Sequence, residues 1–190
     1  MTGFVIHSLE TAPEASTGIL SELSKGWGFI PNLHGILAES PEALAGYHTL
    51  FGLVGKTSLS PIEQQVAFLA VSFVNECSYC MAGHSALAAM AKVPAPVIAA
   101  LRAGTEVPDA KLDALARFVR SVTTHRGSVG DEAVAAFLAA GFSRRAVLDV
   151  VLVVATKTLS NYTNHLTHTP DDAFMAATAW TPPATITVEG

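Results

Sequence analysis

Charge is scarce in this chain. Only 14% of its 190 residues are Asp, Glu, Lys or Arg, whereas 50% are hydrophobic, and the formal net charge is -5. No basic run occurs anywhere. That argues against a nucleic-acid partner, because phosphate binding needs a clustered cationic face. Long uninterrupted apolar runs are missing as well. The most apolar stretch, "AVLDVVLVVATKTL", is broken by Asp149 and Lys157 and is too short to span a bilayer, so no membrane insertion is expected. The first residues carry no positive stretch and reach Glu10 and Glu14 early, unlike an export signal; a cytoplasmic location is the expectation. Cysteine is nearly absent, at two residues, so there is no disulfide framework to hold a small fold. Strand-like alternation is also lacking, and the fold class expected is all-α.

What is present is apolar material at helical spacing. With so little charge for a free-standing surface, part of the apolar area is expected to lie between subunits, as a homo-oligomer. Residues 1–40 are the least regular and carry Gly26, Gly28, Pro31 and Gly35; they are expected to form an N-terminal extension of loop and short helix, packed on the core or on a neighbouring subunit. Residues 41–180 form the helical domain, and 181–190 a tail. Ser40-Pro41 and Ser60-Pro61-Ile62-Glu63 both read as a helix N-cap followed by proline, the second with a capping box. Further helices are expected from about Asn75 to Lys92, in "VPAPVIAALRAG", over the amphipathic "PDAKLDALARFVRSVTTHRG", in "GDEAVAAFLAAG", and from Ser143 to about His165, with a small one in "TPDDAFMAATAW".

Both cysteines fall in "NECSYCMAGH", with His84 one turn past the second. At about 100° per residue, Cys80 lies roughly 60° and His84 roughly 20° from Cys77 around the helix, so all three share a face. Asn75 as N-cap places both thiols in the first turn. Unpaired N–H groups and the positive end of the helix dipole there stabilise a thiolate. His84 can accept or pass on a proton. The elements of thiol redox chemistry are thus together: an attacking thiolate, a second thiol and a proton carrier. Two other readings stay open, a zinc site and a pair of inert core cysteines. The zinc site lacks an evident fourth ligand, since no second Cys pair follows.

"LSPIEQQVAFLAVSFVNECSYCMAGHSALA" resembles the core of the AhpD-like (alkylhydroperoxidase D-like) proteins of the carboxymuconolactone decarboxylase superfamily. "GFIPNLHGILAESPEAL" and "NYTNHLTHTPDD" are similar to flanks of its peroxidase-related subgroup. The resemblance implies an AhpD-like helical bundle, trimeric or hexameric assembly, and thiol-dependent peroxidase or disulfide oxidoreductase chemistry. The partners it implies are a hydroperoxide substrate and an external thiol or dithiol reductant, with no bound cofactor and no metal. By the family pattern Cys80 is the peroxidatic thiol, Cys77 the resolving thiol and His84 part of a proton relay. The relay glutamate of the family falls on Gln65, a neutral amide that cannot take up a proton. Glu63 and Glu76 are the alternative relay carboxylates. A carboxymuconolactone decarboxylase-like lyase and a non-enzymatic redox sensor are the alternative functions. The role of His165 and His168 stays open between site lining and helix C-capping.

Overall fold

The computed structural model describes residues 3–183. Among them are nine α-helices: α1 (Glu14–Trp27), α2 (Asn32–Leu37), α3 (Pro41–Val54), α4 (Pro61–Val74), α5 (Ser78–Met90), α6 (Ala95–Ala103), α7 (Ala110–Thr124), α8 (Asp131–Ala139) and α9 (Arg144–Thr167). A 3-10 turn, Ala173–Thr178, follows, and no strand occurs among the described residues. The all-α expectation holds. Most of the expected tail, 184–190, lies outside the described residues.

The start signals act where the sequence places them. Ser40 accepts a hydrogen bond from the Ala43 amide at the head of α3. Ser60 and Glu63 exchange the two bonds of a capping box at the head of α4, with proline at the first turn. Ser143 caps α9, and Gly104, in the left-handed region at φ 74°, closes α6. The N-terminal segment is more regular than its glycines suggest. Residues 23–27, expected as part of a loop and short helix, continue α1 as far as Trp27, because Leu20 and Leu23 bury one face of that helix. Only Asn32–Leu37 is the short helix expected there.

Helix α4 is the axis of the bundle, with Val66 to Phe73 buried without interruption and α5, α6, α7 and α9 packed around it. Its apolar residues join Leu115, Val119, Phe137, Val150 and Val153 in the main core. A second, smaller core gathers Leu20, Leu33, Leu44, Tyr47, Tyr79, Met175 and both cysteines between α1, α2, α3 and the start of α5. At Gly83 an added Cβ would lie 2.9 Å from the Met175 methyl, so glycine lets the 3-10 turn sit directly on α5.

The corner between α4 and α5 sets the site. Cys77 N–H reaches the Ser72 carbonyl at 3.0 Å and Glu76 N–H the Phe73 carbonyl at 3.0 Å, a Schellman pairing. Glu76 takes the left-handed position at φ 53° that glycine usually fills. Asn75 is therefore the C-cap of α4, and the N-cap of α5 is Cys77 itself. The expectation of Asn75 as N-cap is corrected by two residues, since the Schellman turn needs Asn75 and Glu76 to finish the preceding helix.

Candidate active site

Cys77 has extended backbone as N-cap, and Cys80 is the third residue of α5. Both sulfurs are buried and both are free thiols. Asn164, on α9, joins them: its Nδ2 donates to Cys80 Sγ at 3.1 Å and to Cys77 Sγ at 3.8 Å. The Cys80 thiol in turn donates to Ser160 Oγ at 3.8 Å, and on ionisation the Ser160 hydroxyl would turn to donate to the sulfur instead. Ser160 and Asn164 are one helical turn apart, so a single face of α9 supplies both polar contacts.

The same face carries Lys157, which is only 1% exposed. Its ammonium lies 5.8 Å from the Phe68 ring centre, and no carboxylate of the described residues forms an ion pair with it. Burying an unpaired cation is costly unless an anion forms beside it. Cys80 is the neighbouring thiol whose ionisation would supply that anion. Burial by itself would push the Cys80 thiol up, but the hydrogen bond from Cys77, the Lys157 charge and the Ser160 hydroxyl outweigh it and hold the thiol well below its ordinary range. The Cys77 thiol moves the other way, raised by its bond to Cys80 and by burial. The Cys80 thiol is thus the more acidic of the two, and Cys77 the one that keeps its proton.

His84 is buried one turn below Cys80, with its ring stacked 4.5 Å from Phe68. Burial and the nearby Lys157 charge hold it well below its ordinary value, so the ring is neutral at neutral pH. Its Nδ1 donates to Gln65 Oε1 at 3.1 Å, which leaves the Nε2 lone pair as the accepting side. Gln65, expected at the relay position, is thus in contact with His84, though as an amide. The other two candidates lie elsewhere. The Glu63 carboxylate accepts from the Ser60 amide and from Lys111 Nζ at 2.8 Å, and the Lys111 bond, working against burial, helps keep it below its usual value. Glu76 is exposed at the α4–α5 corner.

A cavity of about 200 Å3 opens onto Cys80. Its wall is chiefly apolar, with Trp27, Leu33, Tyr47, Phe51, Phe174 and Met175, and its polar members include His34, His84 and Lys157. His34, on α2, lines this cavity. Burial and His48 lower it to about 4, and its Nδ1 is buried without a partner. Tyr79 closes the wall: its hydroxyl donates to Asp172 at 2.5 Å and accepts from the Leu33 amide at 3.3 Å. A different cavity, of about 250 Å3, opens onto Cys77 and is lined by Glu76, Asn164, His165 and His168. His165 donates to the Asn75 carbonyl at 2.7 Å and so ties α9 to the corner, while His168 is the left-handed C-cap of α9. Both histidines thus line this second cavity, and the His165 side chain bonds the end of α4 and not the carbonyls of α9. No group of three or more His, Cys, Asp or Glu side chains that could hold a metal gathers among the described residues, and no helix there is long and apolar enough to cross a membrane.

Sequence reading finds Cys77, Cys80, His84 and Gln65 together, and misses Lys157, Ser160, Asn164, His34 and Tyr47. One signal was available for Lys157, a cation that follows the apolar run 150–155 of α9.

Comparison with known proteins agrees with this architecture. Residues 41–123 match the carboxymuconolactone decarboxylase family. Nothing among curated proteins matches the chain. A solved structure described as an alkylhydroperoxidase AhpD core, an uncharacterized peroxidase-related protein from Ralstonia eutropha JMP134, superposes with a TM-score of 0.80 at 18% identity over 90% of this chain and 93% of that one. An uncharacterized peroxidase-related protein from Silicibacter sp. TM1040 gives 0.77 at 18% identity, over 90% and 91%. The debrominase Bmp8, in its C82A form with 2,3,4-tribromopyrrole, gives 0.71 at 16% identity, over 85% and 87%.

Proposed function

We propose that this chain, an AhpD-like fold whose residues 41–123 are of the carboxymuconolactone decarboxylase family, is a thiol-dependent peroxidase. The observation that carries the reading is the setting of Cys80: a sulfur at the end of an apolar cavity, with Lys157, Ser160 and Asn164 arranged to hold it as thiolate. The thiolate attacks the terminal oxygen of a hydroperoxide. The O–O bond breaks, the alkoxide leaves and takes a proton, and Cys80 becomes a sulfenic acid. Cys77 then condenses with it, releasing water and closing a disulfide. An external thiol reductant returns the pair to the reduced state. No bound cofactor or metal takes part. His84, neutral and oriented by Gln65, offers Nε2 to the proton traffic.

The test is hydroperoxide consumption with a dithiol in excess. Cys80→Ser is expected to abolish it, and Cys77→Ser to allow one equivalent to react before turnover stops. Full turnover by Cys80→Ser overturns the reading.

The aromatic wall favours a second substrate class, a halogenated aromatic ring, as in the Bmp8 complex with 2,3,4-tribromopyrrole. Replacing halogen by hydrogen is a two-electron reduction, and closing a disulfide from two thiols supplies two electrons. Halide release under the same dithiol distinguishes the two. We assign the protein to the cytoplasm as a homo-oligomer of trimeric or hexameric type. The exposed stripe Leu148, Val151, Ala155, Tyr162 and Leu166 along α9 supports assembly. Sedimentation equilibrium checks it.

A further inference from the structure

The two sulfurs face different cavities. Cys80, but not Cys77, lines the apolar one; Cys77, but not Cys80, lines the polar one. Asn164 lies beside both sulfurs at the wall of the polar cavity. Asn164 is only 6% exposed, and while its Nδ2 serves the two sulfurs, its Oδ1 is buried with no hydrogen-bond partner.

We propose that the cavity over Cys77 is the entry site for the reductant, a slender low-molecular-weight thiol. The proposal rests on the redox reading of the cysteine pair. Cys77 lies at the end of a pocket of about 250 Å3, which admits a narrow thiol rather than the broad face of a folded protein. The chemistry agrees with the access. The incoming thiolate forms a bond to Cys77 Sγ as the Cys77–Cys80 bond breaks, and the electron pair stays on Cys80. That leaving group is the sulfur held as thiolate by Lys157, Ser160 and Asn164, and a better-stabilised thiolate leaves faster. A second thiolate attacks the ligand sulfur of the mixed disulfide. The products are the ligand disulfide and a Cys77 thiolate, which takes up a proton. Oxidant and reductant thus enter by separate mouths, and neither displaces the other.

The test starts from protein oxidised with diamide, so that it is independent of any hydroperoxide. Limiting glutathione is added, the mixture is quenched with acid, and the mixed disulfide is located by peptide mass mapping. Attachment at Cys77 is expected; attachment at Cys80 overturns the proposal, and this measurement needs no variant. Two fillers then separate the mouths. Ser78→Phe, at the polar cavity, is expected to slow reduction by glutathione at least tenfold more than it slows oxidation of the reduced protein by cumene hydroperoxide. Gly52→Phe, at the apolar cavity, is expected to show the opposite ratio. A folded Ser78→Phe protein reduced at the parent rate overturns the proposal, as does reduction by a thioredoxin-type protein where glutathione has no effect. Failure of cumene hydroperoxide to oxidise the parent protein, with glutathione still attaching at Cys77, counts against the peroxidase reading and leaves the entry site standing.

Discussion

Gln65 Oε1 accepts the Nδ1–H of His84 at 3.1 Å, where an acid would form an ion pair with the ring. The amide fixes the tautomer without adding charge, and burial beside Lys157 keeps the imidazole neutral. Gln65→Glu adds a negative charge within hydrogen-bond distance, which is expected to raise the His84 pKa by about one to three pH units. Histidine ring proton shifts followed by NMR across pH measure this directly. Turnover near neutral pH is expected to rise with it, because a base works best with a pKa near the working pH.

Lys157→Met keeps the length of the side chain and removes the charge. The Cys80 thiol is expected to rise toward its ordinary range, and alkylation by iodoacetamide at pH 7 to slow by about tenfold or more. The thermal midpoint of the variant should hold or increase, since a buried unpaired cation contributes no stability of its own. Unchanged alkylation would show that Ser160 and Asn164 suffice.

His34 gives the acid limb of stability a definite sign. Its pKa falls from 6.5 to about 4 in the folded protein, chiefly by burial. Between those values the unfolded chain binds a proton that the folded one does not, so stability is lost as pH falls from 6.5 toward 4. The interval is worth about 3 kcal/mol at one proton. Urea midpoints taken from pH 7 to 4 should flatten in His34→Gln, with the remaining slope carried in part by His84.

Glu76 occupies a left-handed backbone position at φ 53°. Glycine relieves the clash of Cβ with the carbonyl, so Glu76→Gly is expected to stabilise the fold by about 1 kcal/mol, less what the freer unfolded chain gives back. Chemical denaturation at pH 7 checks it.

The thiol motif and the helix starts were legible because each depends on neighbours in sequence: Ser60 with Glu63, Cys77 with Cys80 and His84. The α4–α5 corner was misread by two residues, since Glu76 fills a position where glycine is the usual signal. Lys157, Ser160 and Asn164 were not legible as site residues. They meet Cys80 only because α9 packs against α4 and α5, and helix periodicity within α9 says which residues share a face but not which partner that face meets. His34 and Tyr47 were hidden for the same reason, in α2 and α3.

Because Cys77 already has extended backbone dihedrals, φ -84° and ψ 98°, closing a bond between the sulfurs pulls on a hinge and not on a helical turn. Far-ultraviolet circular dichroism of the reduced and oxidised proteins should therefore coincide. On that geometry, joining the two sulfurs asks for no unwinding of α5.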